Sequence, residues 1–370
     1  MDFPALQGRT YLNYGGQGVL ARSTLDTISQ CFHDIEARGC FSIANNRWCA
    51  ETIRSTKQRM AEELVCAPDH ITLTENTTGG CNIALWSWDW QRGDRLLLSD
   101  CEHPAIVAIG KELQRRCGVE IDILPLLDLG NSGDPDLVCQ RLVAHLHPRT
   151  RMVCLSHILW NTGLVLPLSA IAELCHARSI LVAVDGAQSV GVLPLNLSQL
   201  GVDFYAFTAH KWWCAPLGVG GLYVNPQIWE RVHAPYVGWR GLEGHDRGAK
   251  FEVATSAYPL YQAVQTALTV HQSWGSAHDR YQRLTKLSAQ LWHDLAHIPK
   301  VHRFGNQSPP CGLVLFSIEG RSAAEVSLWL ENERQIFVRS LPEPKCLRAS
   351  VHYLTQPHDL ATLLEALSEL

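Results

Sequence analysis

Leu181-Val182-Ala183-Val184-Asp185-Gly186-Ala187-Gln188, followed by Asp203-Phe204-Tyr205-Ala206-Phe207-Thr208-Ala209-His210-Lys211, is the stretch whose reading decides the fold. Each half is a short run of aliphatic and aromatic residues stopped by turn formers, the pattern of a strand buried on both faces of a parallel sheet. In an open α/β sheet, ligand-binding residues gather beyond the carboxyl ends of such strands. Asp185 and Lys211 both stand there. A lone Asp ending a strand is ordinarily a cap or turn former, and a lone Lys a solvated charge. The pair reads differently, because His210, Trp212 and Trp213 flank Lys211 with almost no other charge nearby, which favours desolvation and an amine easier to deprotonate. An acid that keeps a pyridine nitrogen protonated, paired with an amine that forms a Schiff base, is what pyridoxal 5'-phosphate requires of a protein.

Outward from this stretch, the chain reads as alternating short apolar runs and helical patterns, with no internal repeat and no low-complexity linker. This is α/β organisation. Strands are expected at 71–74, 95–99, 119–124, 151–155, 180–185, 204–208 and 219–224, and shorter ones at 313–318, 336–339 and 347–351 after a pair of helices. The domain border is expected near residue 255, giving a large domain over 21–255 and a small one over 256–370. The 370 residues, 46% hydrophobic and 18% charged, suffice to bury a large core in two domains. A net charge of −5 argues against a nucleic-acid partner. No apolar run reaches membrane-spanning length and the N-terminus lacks the pattern of a signal peptide, so a cytoplasmic enzyme without a membrane partner is expected. The 13 cysteines include no CxxC pair, which makes zinc or a disulfide framework a poor explanation; no metal site is expected, and most cysteines read as small reduced core residues. Gly16-Gln17-Gly18-Val19-Leu20-Ala21 fits G-x-G-x-x-A, with Glu36 at about the distance of a ribose-binding acid, so a nicotinamide oxidoreductase is a rival reading. It is weakened by Glu36 falling in a helical stretch.

A phosphate needs helix-end amides and hydroxyls, and Glu75-Asn76-Thr77-Thr78-Gly79-Gly80 offers both before a helix expected over Cys81 to Trp88. Taken alone, the same fragment is equally an ordinary Thr N-cap.

Asp185-Gly186-Ala187-Gln188, Thr208-Ala209-His210-Lys211 and Gly218-Val219-Gly220-Gly221 together resemble the class V aminotransferase family, which includes the cysteine desulfurases. The similarity runs from Tyr11-Leu12-Asn13 to Leu347-Arg348-Ala349-Ser350. Within the family, Tyr14-Gly15-Gly16-Gln17-Gly18, Glu102-His103-Pro104, Trp160-Asn161-Thr162-Gly163 and Phe251-Glu252-Val253-Ala254-Thr255-Ser256 look most like the cystine C-S lyases of cyanobacteria. The resemblance implies a fold type I PLP-dependent transferase: an α/β large domain with a mostly parallel seven-stranded sheet, a smaller α+β C-terminal domain, and residues 1–20 packing on the latter.

It also implies roles. Lys211, His103 and Asp185 would be catalytic, with His103 stacking on the pyridine face and Asp185 holding its nitrogen. Gln188 would donate to the phenolic oxygen. Thr78, helped by the Thr77 backbone, would bind phosphate with Thr208 and His210; Ala209 stands where relatives often have Gly. Arg348 matches the carboxylate-binding arginine, Arg339 is a candidate for a second carboxylate, and Asn161 for the phenolic oxygen or the substrate carboxylate. Relatives build their sites at a homodimer interface, which makes Thr255 a candidate for reaching the neighbouring phosphate. Desulfurases carry a sulfur-accepting Cys on a loop between the matches of Arg339 and Arg348. Here only Ser340-Leu341-Pro342-Glu343-Pro344-Lys345-Cys346 intervenes, short and stiffened by two prolines, with Cys346 adjoining the strand of Arg348. The expected reaction is therefore β-elimination (C-S lyase) on L-cystine or a similar β-thio amino acid, giving cysteine persulfide, pyruvate and ammonia, with sulfur supply to iron-sulfur clusters as a use. Desulfuration giving alanine and enzyme-bound persulfide is the alternative.

Overall fold

The computed structural model describes residues 2–131, 133–242 and 247–370. After a two-residue strand β1 (Thr10–Tyr11), the apolar runs form β2 (Ile71–Thr74), β3 (Arg95–Ser99), β4 (Glu120–Leu124), β5 (Thr150–Ser156), β6 (Leu181–Asp185), β7 (Phe204–Thr208) and β8 (Gly220–Val224). Strands β2 to β8 make one seven-stranded sheet in the order β2-β8-β7-β6-β5-β3-β4, with β8 antiparallel to both neighbours and the other pairs parallel. Alternation along the central strands fills both faces: Phe204 and Ala206 of β7 enter one core, Tyr205 and Phe207 the other. Register then fixes the geometry of the sheet's carboxyl edge, since Ser156 lies opposite Asp185 and Asp185 opposite Ala206.

Helices α1 (Arg22–Arg38), α2 (Ile43–Leu64), α3 (Thr77–Trp86) and α4 (Pro104–Cys117) belong to this larger unit. In α4 the sequence states both ends: Pro104 occupies the first turn, where no N–H is needed, and Gly118 closes the helix at φ 70°. The third helix differs from expectation. It starts at Thr77 rather than Cys81, because Asn76 caps it, its side chain accepting from Gly79 N (2.9 Å). Glu36 lies within α1, and among the described residues no parallel strand pair brackets the Gly16-Gln17-Gly18 turn, so the dinucleotide reading of that turn is wrong.

Beyond the large sheet come β9 (Val301–Arg303), β10 (Leu313–Ile318), β11 (Ile336–Phe337), β12 (Arg339–Leu341) and β13 (Cys346–Ser350). An antiparallel sheet, β12-β13-β10-β9, buries Val314, Phe316, Leu347 and Ala349 against Leu291, Leu330 and Leu363 of the helices Ala277–Asp294, Ala323–Arg334 and Pro357–Ser368. The run expected as one strand over 336–339 is two strands in two sheets, parted at Val338, whose carbonyl accepts from Ser327 Oγ (3.0 Å). Ile336–Phe337 instead pairs in parallel with β1, which ties the N-terminal segment to this region. Helix Tyr258–Gln272 lies past the expected border at 255, yet its Tyr261, Val264, Ala267 and Leu268 enter the core of the large sheet. The chain thus leaves that core only after Gln272. No helix among the described residues is long and apolar enough to cross a membrane.

Candidate active site

A cavity of about 600 Å³ opens where β3, β5, β6 and β7 end and the small sheet faces them. Its wall includes His103 after β3, Asp185 at the end of β6, Thr208 at the end of β7, Lys211 in the following turn, and Arg348 from β13. Residues far apart in the chain are brought together here by the fold.

The electrostatics follow from burial. Lys211 has its amine pushed down to about 8 by desolvation, against the opposing pull of Asp185. Desolvation raises the Asp185 carboxyl above the ordinary range, while a hydrogen bond from Ala187 N (2.9 Å) and the Lys211 charge work the other way. His103 is pushed down, first by burial and then by the Lys211 charge, so its imidazole is neutral at pH 7. Its Nδ1 accepts from Ala105 N (3.2 Å) at the start of α4, which leaves the proton on Nε2.

Asn76, Thr77 and Thr78, at the N-terminus of α3, line the same cavity. The Asn76 side chain takes the Gly79 amide and its carbonyl the Gly80 amide (3.2 Å), so the Thr77 and Thr78 amides remain for a ligand. Thr77 Oγ1 is buried with no hydrogen-bond partner, and Thr208 Oγ1 bonds His210 Nδ1 (2.6 Å) beside it. Burial lowers His210 to about 4. An orphaned hydroxyl and free helix-end amides in the cavity wall fit the phosphate of pyridoxal phosphate. A buried acid and a depressed lysine in the same wall fit its pyridine nitrogen and aldehyde.

Arg348 is almost wholly buried. Its Nη1 donates to Trp160 O (2.8 Å), its Nε has no partner, and burial with the nearby Arg339 charge lowers it to about 10. A guanidinium with donors to spare at a cavity wall is suited to a carboxylate. Arg339 is exposed at the rim.

Two sequence candidates lie elsewhere. Asn161 is not among the lining residues, its amide donating to Glu343 O (3.4 Å); the neighbouring Trp160 lines the cavity instead, edge-on to His103 at 5.9 Å. Thr255 is exposed and borders a second, larger groove with Phe41, Trp239 and Tyr258.

Conversely, the N-terminal wall escaped the reading. Tyr11, Asn13, Gly15, Gly16 and Gln17 line the cavity, and Gly18 N donates to His210 O (2.6 Å). The signal was the glycine run itself: a Cβ on Gly18 would lie 2.0 Å from Lys211 O, and one on Gly15 2.9 Å from Ser350 Oγ. Ser156 was also missed. It joins Glu102, a buried carboxyl that accepts from Ser99 Oγ (2.6 Å), Ser156 N (3.1 Å) and Ser156 Oγ (2.7 Å), which anchors the backbone next to His103.

Between Arg339 and Arg348, β12 and β13 form a tight hairpin pairing Leu341 with Cys346. The Cys346 thiol is buried and pushed up to about 12, and among the described residues no cysteine lines the cavity.

The family model for aminotransferase class-V matches residues 10–362. Two solved structures of the protein C-DES superpose with a TM-score of 0.95 at 41% identity over 100% of this chain. One is a complex between the cystine C-S lyase C-DES and its reaction product cysteine persulfide, covered over its full length; the other is a lysine-to-alanine mutant with glycine covalently linked to the PLP cofactor, covered over 98%. A probable cysteine desulfurase of Chlamydia trachomatis is 32% identical over 327 residues, 81% of this chain and 78% of the desulfurase. The isopenicillin N epimerase of Amycolatopsis lactamdurans is 27% identical over 388 residues, 98% of this chain and 95% of the epimerase.

Proposed function

Because the chain belongs to the aminotransferase class-V family, we propose that it is a PLP-dependent carbon-sulfur lyase acting on L-cystine or a similar β-thio amino acid. With cystine and one water the products are cysteine persulfide, pyruvate and ammonia. When bound, the cofactor withdraws electrons from the α carbon of an attached amino acid and makes its proton removable. Lys211 would hold the aldehyde end and, with an amine lowered to about 8, would take that proton near neutral pH. Asp185 would keep the pyridine nitrogen protonated, the neutral His103 ring would pack against the pyridine, and Gln188 would donate to the phenolic oxygen. Thr77, Thr78, Thr208 and His210 would hold the phosphate. Arg348 grips the α-carboxylate, and the exposed Arg339 meets the distal carboxylate of cystine at the rim.

The observation that carries elimination over desulfuration is the β12–β13 hairpin. Transfer of sulfur to the enzyme needs a thiol at the cavity, and the thiol in this segment, Cys346, is buried in the sheet with its ionisation suppressed. Without an acceptor, the β sulfur leaves with its electron pair. A disulfide sulfur departs as a persulfide, a weaker base than a thiolate, so cystine is favoured over cysteine.

The wider setting is part of the same proposal. Thr255 is exposed and outside the lining of its own chain's cavity, next to a groove displaying Phe41 and Trp239, which supports a homodimer in which Thr255 serves the partner's phosphate. Thirteen free cysteines accord with action in the reducing cytoplasm, where the persulfide can feed iron-sulfur cluster assembly. Incubating purified protein separately with cystine and cysteine, then quantifying pyruvate, alanine and persulfide, tests the reaction: pyruvate in step with persulfide is expected, and alanine as main product overturns it.

A further inference from the structure

The indole N–H of Trp212 can only donate and the Gly15 carbonyl can only accept. Both engage one side chain: Trp212 Nε1 donates to Gln188 Oε1 (3.0 Å), and Gln188 Nε2 donates to Gly15 O (2.9 Å). A carboxamide can turn its oxygen and nitrogen either way round, but these two partners each accept one orientation, and it is the same one. Gln188 is buried yet lines the cavity with Lys211 and Asp185. With one amide hydrogen on Gly15 and the oxygen on the indole, the second amide hydrogen is the donor left for a ligand.

Trp212 is held in place. It is fully buried, and two glycines leave room for it: a Cβ on Gly312 would come 2.8 Å from the indole ring, and one on Gly191 2.8 Å from the Trp212 carbonyl carbon and Cβ. From the smaller sheet's side, His352 Nδ1 accepts from Leu354 N (3.2 Å), which leaves the proton on Nε2 to be donated to Trp212 O (3.0 Å). Burial pushes His352 down to about 3, so this neutral form persists across working pH.

We propose that Trp212 is a positioning residue that locks Gln188 with its N–H, not its carbonyl, toward the phenolic oxygen of the bound cofactor. This deepens the cofactor reading above and rests on it. A donor there stabilises the anionic oxygen and lowers the pH at which the lysine-bound cofactor ionises; a carbonyl in its place raises that pH. Tyr11, His103, Asp185, His210, Lys211, Arg339 and Arg348 are the titratable and charged groups facing the cavity, with Glu102 behind Ser156 and Cys214 and His352 against Trp212. None is altered in the variants that test the idea.

The test is a spectrophotometric pH titration of the PLP-loaded wild type and of W212F, Q188L, the W212F/Q188L pair and W213F. Trp213 is the control: it is equally buried, but its Nε1 has no partner. W212F is expected to raise the midpoint by about one pH unit, Q188L by a similar amount, the double variant by no more than Q188L, and W213F not at all. A W212F midpoint within about 0.2 units of wild type, or a W213F shift as large as that of W212F, overturns the proposal. Should W212F fail to fold, an unmoved midpoint in Q188L overturns it as well. A wild type that develops no visible absorbance with PLP sinks the cofactor reading itself, an outcome distinct from an unshifted variant.

Discussion

Replacing Thr77 by Val should stabilise the cofactor-free protein and weaken its hold on pyridoxal phosphate, two effects of opposite sign from one oxygen atom. Thr77 Oγ1 is buried at the first turn of α3 with no partner, and Val keeps the shape and branching of the side chain. A buried polar group left unpaired costs about 1–3 kcal/mol, which the substitution removes. At roughly 2.1 cal/mol/K of unfolding entropy per residue, the 370-residue chain gains ~1.3 °C in Tm per kcal/mol, so about 1–4 °C in all. With cofactor present the same hydroxyl donates to a phosphate oxygen, a charged hydrogen bond worth about 1.5–3 kcal/mol, so Kd should rise roughly 10- to 150-fold. Calorimetric melting of the cofactor-free variant and absorbance titration with pyridoxal phosphate measure the two quantities. A variant that melts lower while keeping its affinity within about twofold would refute the reasoning, since Thr77 would then be an ordinary structural threonine.

Three further outcomes follow from the site. Lys211 reacts only as the neutral amine, and with its amine lowered to about 8 the rate of cofactor capture should climb with pH to about 8 and then level off; stopped-flow absorbance that keeps climbing past pH 9, as for a solvated lysine, contradicts the burial argument. Glu102 is raised to about 7 by burial, so its contribution to folding is lost as pH rises through 7. Glu102→Gln should therefore melt higher than wild type at pH 8, by up to about 3 kcal/mol or 4 °C, with the gap closing by pH 5. Cys346→Ala should lower Tm by a few degrees through the lost packing yet leave pyruvate release from cystine within about twofold, measured per folded enzyme. A tenfold loss with intact fold would restore the desulfurase alternative.

Much of the large sheet was legible because its strands are continuous apolar runs whose ends are marked by turn residues: 71–74, 95–99 and 204–208 match β2, β3 and β7 residue for residue. Strands β1 and β9 were not, since two or three residues carry no periodicity of their own, and β1 exists only through its partner β11. Among site residues, Asp185 and Lys211, at and just beyond strand ends, were readable from local pattern, whereas Thr208 came from the family resemblance. Those whose place depends on distant chain were not. Asn161 lies one residue from the cavity-lining Trp160, a difference set by which side chain the turn between β5 and the next helix rotates inward. Asn76 was passed over as the cap of α3 because two threonines beside it offered the same chemistry.

The pairing of β1 with Ile336–Phe337 has a consequence for how the protein comes to be made. Translation delivers Thr10 and Tyr11 hundreds of residues before the partner strand exists, so this wall of the pocket must wait, solvated, until nearly the whole polypeptide has left the ribosome. Cofactor enclosure is accordingly a late event in biogenesis, and nascent chains arrested before residue 336 should exchange pyridoxal phosphate freely even when their seven-stranded sheet has already formed.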